Sequence, residues 1–91
     1  MPGDIPTAVT KYRLALALNR SQGPAVARNM LIEALEIFFT YAKLNTAAHP
    51  LMWVAISSYV ELRRNEFGLT EQDAQAEVSA LAYQSAFGLT S

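Results

Sequence analysis

One histidine and no cysteine occur among the 91 residues, so acid–base and nucleophilic chemistry have few places to start. Catalysis needs a group whose pKa can be tuned, or a nucleophile beside its base. His49 stands in NTAAHP ahead of Pro50. With no triad-like partner it reads as a solvated loop residue or helix cap. Carboxylates are the other source. Glu33 and Glu36 have i, i+3 spacing, and Glu71, Asp73 and Glu77 gather at one helix start, but a solvated face and complementarity to a helix dipole account for them. An all-oxygen metal site needs several carboxylates to converge, and no Glu-x-x-His pair is present to suggest a di-metal bundle. Neither the P-loop pattern nor G-x-G-x-x-G occurs. The expectation is no catalytic residue, no metal and no cofactor.

Nucleic acid is tested by charge. Two helices joined tightly at Gly68–Thr70 have the outline of a helix-turn-helix, yet the would-be recognition helix holds Glu71, Asp73 and Glu77 and no Lys or Arg. Phosphates would be repelled. A basic surface formed by Lys11, Arg13, Arg20 and Arg28 is the runner-up, set against a net charge of −1. Residues 1–45 carry five basic and three acidic side chains, and residues 46–91 carry two basic and five acidic ones, which could draw the halves together within a chain or between copies.

Two residues fit a solvated helix poorly. Arg63 projects within the apolar arc of its helix, where a buried guanidinium would require a carboxylate. The preferred reading is that its stem packs while its head snorkels to water or to Glu66. Trp53 lies at the margin of the same arc and reads equally as an anchor for a partner or as the rim of a core.

The elements that must position these residues are helices. Pro24–Asn45 is organised as the central one: Asn29, Glu33, Glu36, Thr40 and Lys43 form one narrow polar stripe, and apolar side chains occupy the rest. Pro24 suits a first helical position and Gly23 breaks the preceding element. A first helix over about 5–22, capped by Asp4 or Thr7, is preferred to a strand despite the alternation in YRLALALN, because Ala15 and Ala17 favour helix. Its apolar residues form two stripes, Ile5, Val9, Tyr12 and Leu16 on one side and Leu14 with Leu18 on the other. A third helix follows from about Pro50 to Phe67, with Leu51, Met52, Ala55, Ile56, Tyr59, Val60, Leu62 and Phe67 on its apolar arc. Gly68, Leu69 and Thr70 read as a stop and a start in three residues. The fourth helix, about 71–87, has Ala74, Val78, Leu81 and Ala82 on one side and Ala76, Ala80, Tyr83 and Phe87 nearly opposite. Phe87–Thr90 then repeats the tetrapeptide Phe67–Thr70 as a second stop signal.

Composition sets limits on what this bundle can bury. Hydrophobic residues make up 52% and charged ones 16%, against about 25% charged in an ordinary domain, while a chain this short hides only about 60–65% of its unfolded surface. Some apolar excess must stay outside. The charges of the central helix argue against a membrane span. MPGDIPTAV has no secretory pattern, so a cytoplasmic, bacterial or viral setting is expected. The sequence thus points to a single all-α domain over residues 1–91, a small four-helix bundle of two antiparallel helical hairpins. The expected role is a non-enzymatic interaction module (adaptor, inhibitor or assembly factor), with a homodimer or another protein as partner. The spare stripes supply the candidate interface residues: Leu14, Leu18, Trp53, Arg63, Ala76, Ala80, Tyr83 and Phe87.

Overall fold

The computed structural model describes residues 4–87, with side chains as far as Gln84. It contains four helices: α1 (Ile5–Ser21), α2 (Pro24–Asn45), α3 (Pro50–Phe67) and α4 (Glu71–Phe87). No strand occurs among the described residues, and the segment 12–18 is helical. Two antiparallel hairpins, α1–α2 and α3–α4, form a small all-α bundle. Here α2 is the shared element, packed against each of the other three.

Helix boundaries follow the punctuation of the sequence, with one exception at the start. Asp4 occupies the N-cap position of α1, but its carboxylate accepts the Thr7 hydroxyl at 2.6 Å and bonds no backbone N–H. Between α1 and α2 the chain turns through Gly23 at φ +99°, a conformation that a side chain would strain. Thr46 ends α2 at φ +52°, an unusual place for a β-branched residue. His49 is a helix cap: its Nδ1 accepts the N–H of Leu51 at 3.1 Å, with Pro50 at the first helical position. At the other end of α3, Gly68 is left-handed (φ +73°) and the Leu69 N–H reaches back to the Arg63 carbonyl at 3.1 Å. Thr70 then accepts the Asp73 N–H at 3.1 Å and starts α4. The second Phe-Gly-Leu-Thr runs past Phe87 and lies outside the described residues.

The core is centred on α2. Ala27, Leu31, Ala34 and Phe38 recur every three or four residues with Leu35 beside them, and Phe38 and Leu35 are the largest side chains fully hidden from solvent. Burying each is worth about 1.5–3 kcal/mol. On the opposite side Asn29, Glu33, Glu36 and Lys43 are exposed, forming the narrow wet stripe expected for this helix.

α1 departs from the leucine-based reading. The side chains that it hides completely are Ala8 and Ala15, not the stripe ending in Leu16, which is 42% exposed. Ile5, Val9 and Tyr12 are half-buried on one flank of this alanine row, and Leu18 on the other. The physical reason is distance: small side chains let helix backbones approach closely, and the alanine row is the part of α1 turned most directly towards α2. Leu51 is likewise exposed rather than covered. Ser58 is half-buried, with its hydroxyl 3.1 Å from the Tyr12 hydroxyl across α1 and α3.

Candidate functional site

The densest polar constellation lies where α2, α3 and α4 meet. Arg63 of α3 is bound by Glu77 of α4 through two parallel bonds, Nε to Oε1 at 2.8 Å and Nη2 to Oε2 at 2.9 Å. Tyr59, one turn before Arg63, donates its hydroxyl to Oε1 of the same carboxylate at 2.8 Å. The guanidinium carbon of Arg63 lies 4.5 Å from the Phe67 ring centroid, and that of Arg28, from α2, lies 5.6 Å from it. Helical spacing explains the grouping, since Tyr59, Arg63 and Phe67 recur every four residues and share a face.

This overturns the snorkelling reading of Arg63. Its side chain is only 13% exposed and that of Glu77 is 35% exposed, so the head is tied to a carboxylate inside the bundle and is not turned to water or to Glu66. With Ala80 it lines the cleft beside the cluster. A guanidinium this deeply placed loses hydration, and a bidentate carboxylate replaces the lost bonds in a fixed geometry. Glu77 was not singled out by the sequence, where it reads as part of an acidic helix start. A signal was present, however, because Glu77 lies three residues after Ala74 and four before Leu81, at the edge of the buried row.

Electrostatics make the cluster a fastener. The Arg63 hydrogen bonds hold the Glu77 carboxyl below its usual range against the opposing effect of burial, with the Tyr59 hydroxyl assisting. Those same bonds push Arg63 further up. Burial first, and then the bond to Glu77, raise Tyr59 from 10.0 to about 12. A general acid or base works best near the operating pH, and all three groups are displaced away from neutrality. The neighbouring cleft of about 290 Å³ is lined by Arg28, Ile32, Tyr59, Arg63, Glu77, Ala80, Leu81 and Gln84. Among the described residues no three His, Cys, Asp or Glu side chains come together as a metal would need. His49 lies apart, edge-on to the Tyr41 ring at 5.8 Å between centroids.

Five of the other candidate residues sit on the outside. Leu14 is 44% exposed, Trp53 60% and Tyr83 66%, while Ala76 and Ala80 are exposed on the same outer face of α4. Leu18 is half-buried, and the Phe87 side chain lies outside the described residues. The structure does not gather these positions into one patch: they fall on three different helices. Trp53 is accompanied by Leu51 and Val54, both exposed at the start of α3. No described helix is long and apolar enough to cross a membrane. No family profile, curated protein or solved structure matches the chain.

Proposed function

We propose that this chain is a non-enzymatic helical interaction module that works in the cytoplasm and associates with itself. The observation that supports this most is the exposure of large apolar side chains on outer helix faces, Leu14 on α1, Trp53 on α3 and Tyr83 on α4. Isolated exposed apolar residues are ordinary. Here they accompany a charge content too low to wet the remaining surface, and aromatic residues are enriched among binding anchors. Twofold dimers are the commonest way for a chain to cover such surface with its own copy.

Light scattering across a dilution series tests this reading, with Leu14→Glu and Tyr83→Glu as probes. Concentration-dependent association weakened by either substitution supports it. A monomer at every concentration, destabilised by both, would mean that these side chains serve the fold and not an interface.

A second reading has one observation in its favour: α1 carries Lys11, Arg13 and Arg20 and no acidic residue. As a nucleic-acid contact, this helix would hold DNA with an affinity falling steeply as salt rises. Retention on DNA that is absent at low salt removes it.

A further inference from the structure

Apart from the core contacts, α1 and α4 have complementary outer surfaces. The charges of α1 are Lys11, Arg13 and Arg20, and those of α4 are Glu71, Asp73 and Glu77, so one helix is wholly basic and the other wholly acidic. The fold does not use this match. α1 and α4 are not a packed pair. Lys11 bonds instead to Glu33 of α2 at 2.7 Å and Glu77 to Arg63 of α3, while Arg13, Arg20, Glu71 and Asp73 stay exposed.

The outer rows have the same spacing. Thr10, Leu14, Ala17 and Ser21 are exposed on α1, and Gln72, Ala76, Ser79 and Tyr83 are exposed on α4. Each row advances by four, three and four residues, the alternation by which one helix seats its side chains on another. Laid antiparallel, the rows come into register throughout: Thr10 falls opposite Tyr83, Leu14 opposite Ser79, Ala17 opposite Ala76 and Ser21 opposite Gln72. Arg20 and Glu71, both exposed, then flank the seam on the same side, two residues from level. The same direction sets the negative end of the α1 dipole beside the positive end of α4. Small residues at three of the four levels allow close approach, and Leu14 finds room between Ala76 and Ala80.

We infer that the occupant of these faces is a second copy of the chain, with α1 of one copy docked antiparallel on α4 of the other. This rests on the self-association proposed above and assigns its surface. One helix pair covers less than the ~800 Å² per partner typical of a stable complex, and a twofold axis makes the contact twice.

The natural absence of cysteine permits a clean test. Single variants Ala17→Cys and Ala76→Cys are mixed under mild oxidation. A disulfide needs Cα atoms about 4.4–6.8 Å apart, so covalent dimers are expected between unlike chains, in several-fold excess over like pairs. In parallel, Arg20→Glu and Glu71→Arg should each weaken association about tenfold or more, and mixing the two should restore it, because every contact then joins opposite charges. Helical content by circular dichroism shows that each variant is folded. Association that persists with no preference for unlike chains and no response to charge reversal overturns the α1–α4 surface and leaves self-association standing. A wild-type chain that stays monomeric at all concentrations overturns both.

Discussion

In the α1–α2 hairpin the side chains that α1 hides completely are Ala8 and Ala15, and α2 contributes Ala27 and Ala34 to the same core. In the α3–α4 hairpin the corresponding tie is polar, with Glu77 receiving two bonds from Arg63 and one from Tyr59. Close backbone approach stabilises the first through many weak dispersion contacts and tolerates any arrangement that keeps the volume small. The second contributes through few bonds whose geometry admits one alignment of the helices. Its net energy is modest, since desolvation of both charges opposes the attraction, but the loss of one partner is costly. An alanine seam therefore fails by overfilling and an ionic tie fails by being left half-made.

The largest effect is expected from Glu77→Leu, which leaves Arg63 with a poorly hydrated, unpaired charge. Breaking a fully buried pair costs about 3–5 kcal/mol, and the partial exposure of Glu77 lowers the expectation to about 2–3 kcal/mol in urea unfolding. Adding Arg63→Met to Glu77→Leu should recover most of that loss, as apolar replacements of both partners often do. A double variant no more stable than the single one would show that the pair contributes more than alignment.

On the other hairpin, Ala15→Leu should cost about 1–3 kcal/mol, the usual penalty of overpacking. An unchanged thermal midpoint would mean that the seam has slack and that α1 is not held by close approach.

Acidity and alkalinity distinguish the hairpins without mutation. The folded pKa of Glu77 is depressed, so its contribution is complete above the unfolded carboxylate value of about 4.3 and is lost as pH falls through the folded value. Tyr59 is raised, so its contribution is complete below the unfolded value of 10.0 and is lost as pH climbs towards about 12. The urea midpoint should fall at both edges. Replacing Glu77 with Gln should flatten the acid edge, whereas Ala15→Leu should lower the whole profile without changing its shape.

The smallest effect concerns Arg28, whose Nε is buried with no hydrogen-bond partner although its Nη2 donates to Asn29 at 3.0 Å. An unsatisfied donor opposes folding, so Arg28→Met should be neutral or stabilising by up to about 1 kcal/mol. A marked loss of stability would assign Arg28 a larger share in holding Glu77 and Phe67.

The same contrast explains what was legible in the sequence. The helices, the Gly68–Thr70 stop and start, the narrow wet stripe of α2 and the covered row Ala74, Val78 and Leu81 follow from local periodicity and capping. The choice of Ala8 and Ala15 over Leu16 does not, because the two rows on α1 are separated only by how closely a neighbour approaches. The pairing of Arg63 with Glu77 does not either, since it joins residues on two helices whose relative rotation no local pattern fixes. On the outer faces, the apolar surplus at Leu14, Trp53 and Tyr83 is visible in the sequence, but their distribution over three helices is not.

What covers the outer faces of α1 and α4 is decided by whether a copy of the chain binds the folded state. A partner that binds only the folded form raises apparent stability with concentration. The direct measurement is the urea midpoint of the wild-type chain at protein concentrations spanning on the order of a hundredfold. A midpoint that climbs steadily with concentration is the predicted result, and a midpoint that stays constant while the transition remains cooperative and reversible would contradict it.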